Sequence, residues 1–427
     1  VKNWRLRKIE DGPVLELARR SLLPAPLARA LILRGVPANG DVERYLNPRL
    51  SDVLDPFTLP AMEAATARIW KAIKAGEMIV VYGDYDVDGV TSAALMSHVL
   101  TRLGGHVHRF LPSRTEEGYG LNAETVARCI SAYKPGLIVT TDCGSGSHEA
   151  ALAASSAGVD IVVTDHHEVG VAGPAPVVAL VNPKLGADPQ ARCLSGVGVA
   201  FKVCHALLKK GRDQKQKTAL SLDLREFLDL VALGTISDMV PMLHENRILV
   251  RHGLAQLNRR ERLGLRVLSE VAGATGELGT YHVGFVLGPR MNAAGRMGKA
   301  DDALELLLTE DPAKARELAV FLDSANQERK QVENEIMEEA VRRIDAFYDP
   351  GAHFGIVVGE VGWHVGVVGI VASRLASKYG RPAIVVGFDE NGMGRGSCRS
   401  IEGFDLLGGL NVCSEYLSRH GGHEMAA

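Results

Sequence analysis

Between residues 78 and 184, apolar runs alternate with segments of helical pattern, and few architectures accept that order. Residues 78–82, 107–111, 137–141, 160–164 and 177–181 read as strands. Residues 90–103, 123–133 and 147–157 read as the helices between them. Buried β-branched strands separated by helices specify a parallel α/β sheet, the fold class expected here.

The pattern then changes. Residues 196–310 are mostly helical, with segments at 197–209, 224–234 and 247–258. Residues 313–344 carry dense charge and no Gly or Pro across 32 positions. As one helix they would span about 48 Å at ~1.5 Å per residue. They could fold as a hairpin within one core. A connector between two lobes is preferred, because Pro312 opens the segment and Pro350-Gly351 follows it. A second α/β pattern comes next, with strands at 354–358, 383–387 and 394–400 and helices at 366–379 and 406–417. The expected division is a helical lead-in (1–50), a catalytic domain with a helical extension (51–310), a connector helix (311–345) and a smaller α/β domain (346–427).

Composition narrows the class. With 48 Lys+Arg against 51 Asp+Glu, the net charge of −3 argues against a protein that coats nucleic acid nonspecifically. It leaves room for a local basic groove. No apolar run approaches the ~18 residues of a membrane span. The start, Val1-Lys2-Asn3-Trp4-Arg5, lacks a signal-peptide core, and the six cysteines form no CxxC pair. A reducing cytoplasm and packing roles for the cysteines are expected.

The chemistry gathers at strand ends. The first strand runs into Gly83-Asp84-Tyr85-Asp86-Val87-Asp88-Gly89. In an extended chain Asp84, Asp86 and Asp88 would share one face, and three converging carboxylates repel unless a cation sits among them. A plainer reading is an Asp-rich turn capping the next helix. The third strand ends in Thr141-Asp142-Cys143-Gly144 and the fourth in Thr164-Asp165-His166-His167. Open α/β sheets bind ligands at the carboxyl ends of their strands. Asp238, in Ser237-Asp238-Met239, is a further candidate, although taken alone it reads as a helix-terminal turn residue. Mixed Asp and His donors suit Mn²⁺, with Mg²⁺ as the alternative. Two metals sharing a carboxylate would activate water against a phosphate ester or anhydride.

In order, Asp84–Gly89, Asp142-Cys143-Gly144, Asp165-His166-His167 and Ser237-Asp238-Met239 resemble the four motifs of DHH-family phosphoesterases. Gly421-Gly422-His423 resembles the GGH motif of the associated DHHA1 domain. Arg114–Gly120, Pro289–Met297 and Gly362–Ile370 narrow the resemblance to the bacterial exonuclease branch of the family. That branch implies 5′→3′ hydrolysis of single-stranded DNA to mononucleotides, in repair and recombination. A DHH oligonucleotide or cyclic-dinucleotide phosphodiesterase is the alternative. The resemblance implies that Asp84, Asp86 and Asp142 hold one metal and that Asp88, Asp142, His166 and Asp238 hold a second. Asp165 would orient His166, and His167 would face the scissile phosphate. In the second lobe Ser397, Arg399 and His423 resemble the phosphate-gripping residues of DHHA1.

The remaining substrate candidates are Arg114 and Tyr119, for charge and stacking, and Arg290, Asn292 and Arg296 in a close-packed turn. Either of those last two arginines could instead pair with an acid. Trp363 reads as core, and residues 209–217 as a solvated basic loop. Members of the branch usually continue into an OB-like domain, and this sequence stops at Ala427 inside the GGH motif. Single-stranded DNA is the expected partner, with single-strand-binding protein and a helicase as candidates, no membrane, and a monomeric state.

Overall fold

The computed structural model describes residues 7–112, 120–170, 172–296 and 300–427. Short helices at Asp11–Ser21, Ala25–Leu33 and Val42–Leu46 form the lead-in around their own small core, with Leu17 and Leu31 inside it. Arg247 Nε donates to Tyr45 O at 2.8 Å and Arg251 Nη1 to Leu46 O at 2.7 Å, fastening this region to the main domain.

The main domain follows in the expected alternation: α1 (Met62–Ala75), β1 (Met78–Gly83), α2 (Val87–Arg102), β2 (His106–Phe110), α3 (Ala123–Tyr133), β3 (Leu137–Thr141), α4 (His148–Ser156), β4 (Asp160–Thr164) and β5 (Ala179–Val181). The five strands are all parallel, in the order β2-β1-β3-β4-β5. Side chains alternate along each strand, so the sheet is covered twice. Ile79, Val81, Leu137 and Val139 pack with α2, α5 (Gly196–Asp213) and α6 (Leu228–Ser237); Val80, Tyr82, Ile138 and Val163 pack with α3 and α4. Nearly every residue of α6 is buried, Leu228 to Ile236 without a break, as in a helix covered on all sides. α7 (His244–Asn258) lies against it.

Helices at Leu263–Val271, Gly288–Arg296 (α8) and Ala300–Leu308 precede the connector. The connector, α9 (Pro312–Phe347), is a single helix of 36 residues, and Asp311 caps its start. Its first half adds Leu318 and Leu322 to the main core; its second half adds Ile336, Ala340 and Ile344 to the core of the smaller lobe. That division settles the choice between hairpin and connector. The smaller lobe holds β6 (Ile356–Val361), α10 (Val368–Tyr379), β7 (Ala383–Phe388) and β8 (Gly394–Arg399), with β6 and β7 parallel and β8 antiparallel. The last residues pair back onto β8 through Ser400 N–H to Met425 O at 2.9 Å.

Several local expectations need correction. α2 begins at Val87 with Asp86 as its cap, so Asp84, Asp86 and Asp88 do not lie along one extended strand. The basic run from Lys209 is not all loop: α5 continues to Asp213, and Lys209 and Lys210 pair with Asp55 and Glu63. The helix expected at 406–417 ends at Val412. Cys413 is exposed and Cys193 only half-buried, unlike the other four cysteines.

Candidate metal centre

The strand order reverses around β1, which opens a crevice at the carboxyl ends of β1 and β3. Asp84 leaves β1 at this crevice, with its N–H donating to Thr141 O. The chain then turns into α2. Asp86 Oδ1 accepts from Asp88 N–H at 2.9 Å and Gly89 N–H at 3.1 Å, an N-cap that fixes the whole acidic loop. The plain capping reading therefore holds for Asp86 alongside the metal reading. Gly89 has no room for a side chain, since a Cβ would lie 2.7 Å from Asp84 Cα.

Asp88, in the first turn of α2, accepts from Gly196 N–H at 2.6 Å and Val197 N–H at 2.9 Å. These are the first amides of α5, whose helix dipole favours a negative charge there. Asp142 follows β3 with φ +64°, a left-handed conformation that Asp tolerates better than most residues. His166 follows β4, and Asp238 caps the carboxyl end of α6. His166 Nε2 lies 3.1 Å from Asp142 Oδ1, 3.6 Å from Asp238 Oδ2 and 3.8 Å from Asp88 Oδ2.

Three groups each bring their donor atoms within 4.8 Å of one another: Asp84/Asp86/Asp142, Asp88/His166/Asp238 and Asp142/His166/His167. The first two bring together the residues of the two expected sets, except that Asp142 stands only in the first. Asp142 Oδ1, His166 Nε2 and Asp238 Oδ2 are buried and make no hydrogen bond, the 3.1 Å approach lacking the geometry for one. Burial, followed by the charge of neighbouring acids, pushes Asp88 and Asp238 up to about 7 and Asp142 well above its ordinary range. Burial also pushes His166 down, leaving a neutral imidazole. Orphaned carboxylate oxygens beside a neutral imidazole form a donor set that fits divalent cations.

Asp165 departs from its expected role. It meets His166 only through the backbone N–H, at 2.7 Å; the ring it holds is His167, whose Nδ1 lies 2.8 Å from Asp165 Oδ1. Ser145 N–H donates to the other oxygen at 2.9 Å. Burial opposes both charges in this pair. The hydrogen bond nevertheless raises His167 to about 9 and holds Asp165 well below the usual carboxylate range. Cys143 is buried, with its thiol pushed far up, consistent with packing.

The substrate candidates separate. Arg290 Nε donates to Asp323 at 2.8 Å and Nη1 to Val286 O at 2.7 Å, so it takes the structural alternative left open for it. Asn292 Oδ1 accepts from Val87 N–H at 3.1 Å and braces the acidic loop. Arg296 Nη1 reaches Gly366 O at 3.1 Å and ties the two lobes together. Arg114 and Tyr119 lie outside the described residues. In the smaller lobe, Arg399 Nη1 donates to Ser397 Oγ at 3.2 Å; a Cβ on Gly369, in the first turn of α10, would lie 2.9 Å from that Oγ. His423 is exposed on the terminal segment that pairs with β8. Trp363 is core.

Sequence reasoning missed Asn182, at the end of β5. Its Nδ2 donates to Ser145 Oγ at 2.8 Å and to His167 O at 2.9 Å. The strand-end argument used for the third and fourth strands would have found it on the fifth. Gly196 and Gly234 were also missed: a Cβ on either would press on Asp142 or Asp88.

Two lobes, joined by one helix, with acids and histidines at the ends of a doubly wound sheet, define a DHH-type phosphoesterase. The DHH family N-terminal domain matches residues 78–235 and the DHHA1 domain matches residues 353–427. The single-stranded-DNA-specific exonuclease RecJ of Bacillus subtilis is 41% identical over 428 residues, covering 99% of this chain and 52% of that protein. RecJ of Dickeya dadantii is 39% identical, with 98% and 74% covered. RecJ of Thermus thermophilus, solved in complex with Mn²⁺, superposes with a TM-score of 0.83 at 33% identity, covering 99% of this chain and 58% of that one; it has also been solved with Mg²⁺. The chain belongs to the RecJ family of single-stranded-DNA-specific exonucleases. It spans about half the length of the Bacillus subtilis relative.

Proposed function

We propose that the chain hydrolyses single-stranded DNA from the 5′ end and releases mononucleotides. The observation that carries this reading is the crevice itself: seven metal-compatible side chains, three of them with orphaned buried atoms, in a chain whose smaller lobe brings an arginine, a serine and a helix N-terminus together. Asp84, Asp86 and Asp142 would hold one divalent cation; Asp88, Asp142, His166 and Asp238 would hold the other. Mn²⁺ is favoured over Mg²⁺ because imidazole is a borderline ligand. When bound, such a pair supplies an activated water and offsets charge on the phosphoryl oxygens.

The protein's own groups do the rest. Asp165, within hydrogen-bond distance of His167 Nδ1, would orient that ring to meet the scissile phosphate. Ser397, Arg399 and His423 would hold the terminal phosphate, Arg399 by a bidentate grip. A cleft between the two lobes would pass a strand but exclude a duplex. Residues 51–310 would form the catalytic unit, 311–345 the connector and 346–427 the phosphate-gripping lobe. Monomeric action in a bacterial cytoplasm, beside single-strand-binding protein and a helicase, fits this reading. No helix among the described residues is long and apolar enough to cross a membrane. Digestion of 5′-labelled and 3′-labelled single strands with Mn²⁺ tests the proposal. The 5′ label should appear at once as mononucleotide. Release from the 3′ end, cutting of circular strands, or equal degradation of blunt duplex would overturn it.

A further inference from the structure

Just before α8 the helix widens. Thr280–His282 is α-helical, Val283–Leu287 has π geometry, and Gly288–Arg296 is α-helical again. Such π segments are rare and concentrate at functional sites. The inner face of this stretch rests on the carboxyl end of α6. A Cβ on Gly288 would lie 2.7 Å from Ser237 Oγ, and one on Gly284 would lie 3.6 Å from Ile236 Cγ2. The widened helix is thus built against the residues that present Asp238 to the crevice.

Its outer face carries two rings. Tyr281 and Phe285 stack with centroids 5.2 Å apart and planes inclined by 29°. They are 66% and 71% exposed, so neither ring is there to fill a core. Met239, the neighbour of Asp238, is 87% exposed. Single exposed apolar residues are ordinary; a stacked aromatic pair left in water beside a catalytic crevice is not. Seven residues separate Tyr281 from Gly288, about 10 Å at ~1.5 Å per residue. Gly288 meets Ser237, the neighbour of Asp238, so the pair is carried on the helix that flanks the metal centre.

We propose that Tyr281 and Phe285 form a platform on which bases of the single strand stack as it leaves the crevice on its 3′ side. This rests on the exonuclease reading above and adds to it a subsite on the catalytic lobe. Stacking suits an enzyme that must accept every sequence, because each base offers a π face whatever its edge. It also makes the site blind to the sugar–phosphate charge that the smaller lobe would grip.

The test compares wild type, Tyr281→Ala/Phe285→Ala and Tyr281→Trp/Phe285→Trp on a 5′-phosphorylated strand of about 20 nucleotides, longer than one binding site, and on a trinucleotide. The long strand is also prepared with a single abasic position walked inward from the 5′ end. Both rings are exposed, so the fold should survive, and circular dichroism checks that it does. The alanine pair should raise KM on the long strand about tenfold or more. It should leave kcat, and both constants on the trinucleotide, unchanged. In wild type one abasic position should raise KM; in the alanine pair that position should no longer matter, and the tryptophan pair should restore the wild-type profile. An unchanged KM, an equal rise on both substrates, or the same abasic profile in all proteins would overturn the platform. Abolished capture of a protein partner with no change in DNA constants would also overturn it. The same contrasts are read by fluorescence anisotropy without divalent metal. A wild type that binds the strand but fails to cut it would therefore refute the exonuclease reading, while the platform still stands or falls on binding.

Discussion

Adding one methyl group at Gly196 should empty much of the proposed metal centre without replacing a ligand. Gly196 opens α5, and its N–H donates to Asp88 Oδ2 at 2.6 Å. A Cβ there would lie 2.7 Å from both Cβ and Cγ of Asp142, and nearer still to Oδ1. Ordinary carbon contacts begin at about 3.5 Å, so Asp142 or the start of α5 must yield by roughly 1 Å. Asp142 cannot yield easily, because its backbone is already left-handed and its N–H is bonded to Thr164 O at 2.9 Å. If α5 moves instead, Asp88 loses its two amide donors.

Disturbing the support of a metal ligand typically costs ~10–100-fold in affinity or activity. Misplacing a reacting group by ~1 Å costs about a hundredfold in rate. In Gly196→Ala, Mn²⁺ affinity measured by isothermal titration calorimetry should therefore fall ~10–100-fold. Hydrolysis should fall with it and return in part at high Mn²⁺. Asp142→Ala, which removes the ligand, should not be rescued by added metal. If Gly196→Ala binds Mn²⁺ and turns over like wild type, Asp142 is not a ligand and the two-metal reading of this crevice fails.

Arg399→Ala should weaken hydrolysis of 5′-phosphorylated strands by about ten- to a hundredfold, since a hydrogen bond to a charged group is worth roughly 1.5–3 kcal/mol. Strands ending in 5′-hydroxyl should be affected much less, and an equal loss on both substrates, read at one salt concentration, would refute the end-gripping role. Stability should also depend on two histidines remote from the crevice, His98 and His205. Burial, then nearby Arg262 and Lys202 respectively, lowers each from 6.5 to about 4. The unfolded chain takes up these protons first, so their contribution is complete above pH ~6.5 and is lost as pH falls toward ~4, at most about 3 kcal/mol each. Urea melts at pH 7 and pH 5 should show a smaller acid loss in His205→Gln than in wild type; an identical loss would remove His205 from the account.

The sheet and its strand-end chemistry were legible because both follow from local rules. Alternating strands and helices force a parallel sheet, and a parallel sheet puts Asp84, Asp142, Asp165 and His166 at one edge whatever the side chains do next. The connector was legible for the same kind of reason: over thirty residues without Gly or Pro propagate as helix unless something stops them. What could not be read was how the backbone carries each group. The i, i+2, i+4 argument brought the three N-terminal acids to one crevice by the wrong path, because Asp86 ends the extended chain by capping α2 and Asp88 joins a different donor group from Asp84 and Asp86. The pairing of Asp165 with the His167 ring, rather than the His166 ring, depends on side-chain torsions that spacing alone does not encode.

The missed residues share one property, which is that they act by occupying little space or by bonding to backbone. Gly196 and Gly234 sit on two helices distant in sequence from the acids they accommodate; a Cβ on Gly234 would lie 2.8 Å from Asp88 Oδ1. Asn182 and Ser145 hold His167 and Asp165 through an amide, a hydroxyl and main-chain atoms. A motif records the groups that would meet the metals, and these do not. Yet the acids in the crevice repel one another and are held in place by just such contacts: helix amides on Asp88, an N-cap on Asp86, and a glycine's missing side chain beside Asp142. The cluster is thus a product of α5 and α6 as much as of the strands. Helices outside the acidic motifs set the geometry of the metal centre, which is why a methyl at Gly196 should be felt there as strongly as the loss of a supporting hydrogen bond.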